Sequence, residues 1–593
     1  MPRTALRIGQ FSAFYGDRDD GVRQLIDSGV DVLVGDYLAE LTMLVLRKNQ
    51  LRGRVGYAPT FLRQIGPHLD RIAEQGIKVV SNAGGLDPER CAEDLRALVR
   101  EQGLSLRVAA VTGDDLLGDL AALRGAGETL TNLDTGAELK SGDHEILTAN
   151  AYLGAWPIVE ALRGGADIVV CPRVTDASVL MGPAIWHFGW SADDYDALAG
   201  ALAAAHVIEC GAQATGGQFS LFDRYPDLGL PGMPIAVVEV DGSSVLTKTS
   251  GTGGVVTTDT VTAQLLYEIG SPLYQNPDVV ADFATCRIEQ SGPDRVRLTG
   301  TRGYPPPDRL KVSLSYEGGY RNTATVCLTG GRIAAKLDWL RREVTRAVGP
   351  PDSFDDFRWT VVGPAATEDG SYDETTAVVV ISAKSTTREK VGRAAFSNKV
   401  TQLAISNIPG YYLLGPPATE QMFGVYWPTT VAKAAVRPSV VFDDGRRVAV
   451  PWAPAGERPA VPPLTTGGGE GAVEPVGELV AVPLRDLVGT RSGDKGGNAN
   501  VGVWAQRPEL AGWLLDHLTV DEFRRLVPEA DGLVVERYAF PNLGALNFVV
   551  RGFLDDGVAS CLRLDAQAKG LGEYLGSRTV TVPRRILDAS GQE

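Results

Sequence analysis

Five short apolar runs in the first third of this chain end in glycine and polar residues. Those endings hold most of the groups that could do chemistry. They are Ser12 with Tyr15-Gly16-Asp17-Arg18, then Gly35-Asp36-Tyr37-Leu38-Ala39-Glu40, Ser81-Asn82-Ala83-Gly84-Gly85, Thr112-Gly113-Asp114-Asp115 and Pro172-Arg173-Val174-Thr175-Asp176. Asp36 and Glu40 stand four apart, so a helix sets both on one face, where they could exchange protons with a substrate. An acid in a first helical turn can also simply answer the helix dipole. Asp114 and Asp115 are adjacent, and neighbouring carboxylates raise one another's pKa unless a cation intervenes. They could share a proton or hold Mg²⁺, or they could be a turn and a cap. Arg18 and Arg173 are the only cations in the five clusters. Arginine suits two-pronged capture of a carboxylate or phosphate; the alternative is pairing with Asp17 or Asp176. Asp87, Asp119 and Asp176 read as helix caps.

Three further clusters follow. Glu209-Cys210-Gly211-Ala212-Gln213 carries a thiol with His206 one helical turn before it. A nucleophilic role needs the imidazole to touch the sulfur; a buried residue before a glycine turn is the alternative. Thr249-Ser250-Gly251-Thr252-Gly253-Gly254 precedes a helical pattern, and amides at such a start can cradle an anion. The densest polar stretch runs Gly489-Thr490-Arg491-Ser492-Gly493-Asp494-Lys495-Gly496-Gly497-Asn498-Ala499-Asn500. It reads as a loop between strands that carries bespoke chemistry, or as a salt-bridged surface turn. Arg537, Asn542 and Asn547, then Arg563, Asp565 and Lys569, could line the same surface.

The elements that must hold these groups are legible from periodicity. The runs Leu6–Gly9, Val30–Val34, Ile77–Val80, Leu106–Val111 and Ala166–Val170 are short and continuously apolar, as in strands buried on both faces. Helical patterns Phe61–Gly76 and Pro88–Gln102 lie between them, the second opened by Asp87-Pro88. Alternating strands and helices predict an α/β fold with a parallel, Rossmann-like sheet over residues 1–230. Its carboxyl-end loops share one crevice, where ligands bind. Residues 231–451 read as an α+β region packed on it, with strands Ile235–Val240, Arg295–Thr299, Lys311–Tyr316 and Ala377–Ser382 and helices Thr258–Ile269 and Arg332–Ala347. Residues 452–478 are rich in Pro and Gly and read as a linker. Residues 479–593 read as a ferredoxin-like α+β domain ending in a helix over Ala566–Tyr574.

Composition narrows the function. The 593 residues are 44% hydrophobic and 22% charged, so large cores are available. A net charge of -16 with no basic run argues against nucleic acid and anionic membranes as partners. The six cysteines have no C-x-x-C spacing, and no long apolar span occurs, which leads us to expect a cytoplasmic protein with no membrane partner. Metalloprotease, P-loop, nucleophile-elbow and dinucleotide fingerprints are missing, and five histidines make a multi-histidine metal site improbable.

Several of these strings also resemble a known family. Gly16-Asp17-Arg18, Gly35 to Glu40, Asn82 to Gly85, Gly113-Asp114-Asp115, Ala149-Asn150-Ala151-Tyr152-Leu153-Gly154 and Ile208 to Gln213 resemble the large domain of acyclic terpene utilisation (AtuA-type) proteins. Arg491 to Gly496 and Arg537-Tyr538 resemble that family's ferredoxin-fold domain. The chain departs from the pattern at Pro172, where glycine is expected before Arg173. The resemblance implies work in a pathway that degrades branched, unsaturated acids as CoA thioesters, and it names no reaction.

The expected catalytic set is Asp36, Glu40, Asp114 and Asp115. The expected binding set is Asp17, Arg18, Asn82, Asn150, Tyr152, Arg173, Gln213, Arg491, Ser492, Asp494, Lys495 and Asn498. The first expectation is a lyase or hydratase using carboxylate acid–base chemistry on a small organic acid or acyl-CoA. A second is a non-catalytic subunit that presents substrate to an acyl-CoA-processing partner. A third is a metal-dependent hydrolase using Asp17, Asp114 and Asp115, with a divalent metal as its cofactor. A homo-oligomer is expected.

Overall fold

The computed structural model describes residues 4–140, 142, 144–225, 228–363, 370–460, 463 and 478–588. The first strands form where the apolar runs predict them. They are β1 (Ala5–Ser12), β2 (Val32–Gly35), β3 (Lys78–Gly85) and β4 (Val108–Thr112), then β5 (Ile146–Ala151) and β6 (Ile168–Pro172). The parallel order is β1-β2-β3-β6-β4. All residues of β2 and β6 are buried. Their side chains alternate between two cores: Leu33, Val79, Ala110 and Ile168 face one side, and Val32, Val34, Val80, Ala109 and Val169 the other. Each such side chain contributes roughly 1.5–3 kcal/mol when fully buried, which explains the unbroken apolar runs.

The sheet is mixed rather than purely parallel. β7 (Pro234–Glu239) lies antiparallel to β1 and is followed by β8 (Ser244–Lys248), Arg295–Thr299 and Arg287–Gly292. At the other edge Ser439–Val441 pairs with β4, and Arg447–Ala449 follows. Hairpins add antiparallel strands without a crossover helix, so the sheet reaches eleven strands and draws on residues from both sides of position 230.

β5 does not join this sheet. It pairs with the 21-residue strand Arg309–Thr329, the spine of a second, six-stranded antiparallel sheet that includes Gln421–Ala432 and Thr376–Ser385. Isolated bridges Asp115–Asn150 and Leu153–Val174 join the start of this sheet to the loops after β4 and β6. The second sheet therefore begins at the carboxyl ends of the first.

Helices follow expectation with physical exceptions. Pro88–Glu101 is capped by Asp87, whose carboxylate accepts from the Arg90 amide. The pattern Phe61–Gly76 splits into helices Thr60–Ile65 and Leu69–Gln75, because Pro67 has no amide hydrogen to continue the ladder. Thr258–Leu265 opens with a Thr257/Thr260 capping box and stops short of Ile269, because Glu268 takes a left-handed conformation with φ 55°. Asp119 makes no side-chain cap.

In the C-terminal part, strands Val488–Lys495, Asn498–Ala505, Ala545–Val550 and Val535–Phe540 form a four-stranded antiparallel sheet covered by helices Pro508–His517 and Val520–Leu526. The polar stretch expected as a loop is instead a β-hairpin. Val488–Lys495 and Asn498–Ala505 pair along their whole length, turning at Gly496, whose φ of 66° favours glycine. The helix expected over Ala566–Tyr574 spans only Leu571–Gly576, because Ala568 is left-handed and Asp565 accepts from the amides of Lys569 and Gly570 ahead of it, and a further short helix, Arg584–Asp588, follows. Of the expected linker, residues 461, 462 and 464–477 lie outside the described residues. Among the described residues no helix is long and apolar enough to cross a membrane.

Candidate functional site

The loops after β2, β3, β4 and β6 meet, and Arg173 is their centre. Its amide donates to Asp114 at 3.2 Å, and its guanidinium donates to Asp176 at 2.8 Å and to the Leu38 carbonyl at 3.2 Å. Pro172 remains part of β6, opposite Gly85, and does not turn Arg173 away. Gly113 makes the turn that aims Asp114 inward: its φ is 105°, and a Cβ there would sit 2.3 Å from the Arg437 carbonyl oxygen. Asp114 also accepts from Asn150 at 2.8 Å. Asn82 holds the end of β2 by donating to Asp36 and accepting from the Tyr37 amide. Its task is to position Asp36.

The second sheet supplies the next wall. Glu40 opens the helix Glu40–Leu51, accepts from the Tyr152 hydroxyl at 2.8 Å and pairs with Lys311 at 3.4 Å. The Tyr152 ring lies between two cations, Arg173 at 4.2 Å and Lys311 at 4.8 Å. Such stacking on an aromatic face favours desolvated cations.

The C-terminal hairpin closes the crevice within the same chain. Lys495 donates to the Glu268 carbonyl at 2.6 Å, and its charge is felt by Glu209 and His206. Lys569 lies 3.6 Å from Glu268 and 3.7 Å from Asp494. Arg491 stacks on Tyr267 at 4.2 Å and donates to Gln213 and to the Gln218 carbonyl. Two buried asparagines brace this contact. Asn500 donates to the Leu266 carbonyl and accepts from the Glu268 amide at 2.7 Å, while Asn547 donates to the carbonyls of Ile269 and Gly270. The backbone of the left-handed Glu268 therefore takes its partners from the Asn500 and Lys495 side chains, in place of those its own helix no longer provides.

Ionisation divides the carboxyls. Burial opposes the Glu40 charge, but Lys311 and Arg173 outweigh it and hold the carboxyl well below the usual range. Burial and then the Asp176 charge push Asp36 well above it. Asp176 is raised as well, by burial against the pull of Arg173. Burial takes Asp114 up to about 7 despite its Asn150 hydrogen bond. Asp494 also rises to about 7, through burial and Glu268. The floor is dry, with Arg173 2% and Asp36 7% exposed. The rim is open: Asp176 and Lys311 keep 31% and 38% of their side chains in solvent, and water damps their interactions.

A family model described as acyclic terpene utilisation family protein AtuA matches residues 6–442, and the AtuA ferredoxin-like domain matches residues 482–581. The chain belongs to the AtuA family. The first match spans well over half of the chain and covers both the strand-end loops and the second sheet, while the second covers the hairpin. No curated protein and no solved structure matches the chain.

Several expected site residues of this AtuA-family protein serve the fold. Asp17 accepts from the amides of Ala13 and Arg18 at 2.8 Å each, and Arg18 pairs with Asp20 at 3.1 Å. Asp115 is exposed and accepts from the Leu117 amide, because successive residues at a strand end point opposite ways. Asp17, Asp114 and Asp115 therefore do not converge. Among the described residues, no group of three or more His, Cys, Asp and Glu could hold a metal ion, so the donors do not fit a divalent metal. Ser492 donates to the Ala568 carbonyl and accepts from the Gly572 amide. Asn498 ties Asp134 to Gly552. Gln213 meets Arg491 where the hairpin docks. His206 bonds Glu209 at 2.8 Å and not Cys210, whose thiol is pushed up by burial and by the Glu268 charge. The glycine loop spends the Gly254 amide on the Leu228 carbonyl and gives its Gly253 carbonyl to Gly232.

Other groups at the crevice were not selected from the sequence. Asp176 faces Arg173 instead of capping the helix Ser178–Phe188. Lys311 is one lysine in an alternating strand, and Glu268 carries no motif. A lone charge at the inward register of an otherwise buried strand was the only available signal for Lys311.

Proposed function

We propose that this chain is an enzyme that uses buried carboxyls for acid–base chemistry on a small organic acid or its thioester, in the degradation of branched or terpenoid acids. The observation that carries this reading is the company kept by Arg173. On one side stand Asp36 and Asp176, whose pKa values both rise, that of Asp36 in part through the Asp176 charge. On the other stands the ionised Glu40 with Lys311. Two buried carboxyls near one another disfavour each other's charge, so one can hold a proton while the other is ionised. Asp36 and Asp176 act together, one giving a proton as the other takes it. Arg173 and Lys311 hold the acid group and stabilise charge that develops on its carbonyl oxygen. Glu40 is too acidic to be an effective base and fixes the two cations.

The family supports the pathway class, and the chemistry of the crevice supports a lyase or hydratase. The test is turnover of a panel of branched carboxylic acids and their CoA thioesters by the full chain, with Asp36→Asn and Asp176→Asn beside it. Wild-type turnover lost about 100-fold or more in both variants, as expected for a general acid or base, supports the reading. Turnover that survives in both variants, or a panel on which the wild type is inert, overturns it.

A further inference from the structure

The buried face of the second sheet beside Lys311 carries polar atoms that none of the described residues answers. In the ladder, Ser313 lies opposite Asn150, and Ser315 lies opposite Thr148 on one side and Tyr426 on the other. Residues directly opposite share a face, as do residues two apart on one strand. Lys311, Ser313, Asn150, Thr148 and Tyr426 therefore all present to the same side. Thr148 is 2% exposed, and Asn150 and Ser313 are each 1% exposed. Among the described residues, the Thr148 and Ser313 hydroxyls and Asn150 Oδ1 have no hydrogen-bond partner.

Asn150 is already oriented, since its Nδ2 donates to Asp114. Its leftover atom accepts and cannot donate. The neighbouring hydroxyls can do both. One oxygen that donates to Asn150 Oδ1 and accepts from Ser313 or Thr148 would answer this set; water and an alcohol both meet that demand, and the alcohol is the one a substrate brings. Lys311 precedes Ser313 by two residues, or about 6–7 Å along the strand, so an acid group at Lys311 and a hydroxyl at this face fit one short molecule.

We propose that this face is a hydroxyl-recognising subsite and that the substrate is a hydroxy acid, its acid group set against Lys311 and Arg173. The inference rests on the acid-binding reading above. A site built around buried polar groups rejects the analogue that leaves them unpaired.

The test is calorimetric binding of butanoate and 3-hydroxybutanoate to the full chain. The hydroxy acid binds about 100-fold more tightly than its parent, the discrimination expected when the parent leaves a buried polar group unpaired. In Ser313→Ala and Thr148→Val that preference collapses, while butanoate binds as before. Both variants, free of ligand, melt at or above the wild-type temperature, because each removes an unanswered buried hydroxyl. Equal affinity of the wild type for the two acids overturns the subsite and leaves the acid cradle standing. Binding of neither overturns the cradle and the subsite together. Variants that melt lower yet keep the preference assign the hydroxyls to a water-filled structural niche and overturn the subsite.

Discussion

Replacing Asp114 by asparagine removes one titrating group from the centre of the crevice and leaves its acceptor geometry in place. Asp114 Oδ2 accepts from Asn150 and from the Arg173 amide, and an amide oxygen can do the same. The carboxyl is 4% exposed and its pKa is pushed up to about 7 from 3.8 by burial. A raised folded-state pKa means that the native protein holds this proton more tightly than the unfolded chain. The contribution to stability is then fully present below the unfolded pKa and is lost as pH rises through the folded one. The full loss is about 3.2 units at 1.36 kcal/mol each, or about 4 kcal/mol, of which about 2.5 kcal/mol develops between pH 5 and pH 8. The asparagine variant has no such slope. Urea unfolding of the wild type and Asp114→Asn at both pH values isolates the effect, because every other titrating group appears in both proteins. The variant should gain about 2.5 kcal/mol on the wild type from pH 5 to pH 8. A difference that stays flat, or that shifts in favour of the wild type as pH rises, refutes the account of a buried, protonatable Asp114.

Other consequences can be checked directly. Lys311→Met removes the cation nearest Glu40, so the Glu40 pKa should climb by about one unit or more; carboxyl NMR, assigned against Glu40→Gln, reads it, and an unmoved resonance counts against the pairing. Arg173→Met leaves Asp176 and Glu40 without their shared partner and should cost about 3–5 kcal/mol, the scale for breaking a buried ion pair; a melting temperature like that of the wild type would refute a structural weight for Arg173. Asn500→Leu strands the Glu268 amide and the Leu266 carbonyl and should cost about 1–3 kcal/mol, with faster proteolytic release of the C-terminal part; unchanged proteolysis would show that other contacts hold the hairpin. Cys210→Ala should leave turnover unchanged, since the thiol is pushed up and His206 is engaged by Glu209; loss of turnover would restore the nucleophile.

Apolar periodicity alone located the parallel strands, because a strand buried on both faces must be apolar without interruption. It also located the crevice, since carboxyl-end loops of such a sheet share one side by topology. Asp36, Glu40, Asp114 and Arg173 were legible for that reason, and the family strings pointed to Asn150, Tyr152 and Lys495. Sequence could not say which neighbours would meet. Asp115 follows Asp114 yet faces solvent, and of the two readings open for Asp176, a helix cap or a partner for Arg173, only the fold selected the second. Lys311 lies 271 residues from Glu40 and Lys495 lies 227 from Glu268, and pairing at such distances is decided by how sheets pack rather than by local pattern. The hairpin at Gly489–Asn500 was hidden because its polar side chains face a buried crevice, where a strand would ordinarily show apolar residues. Tertiary structure also decided the charges. A carboxyl's pKa depends on its burial and on the cations around it, so the raised pKa of Asp36 and the lowered pKa of Glu40 exist only once β2, the second sheet and the C-terminal hairpin have closed on Arg173.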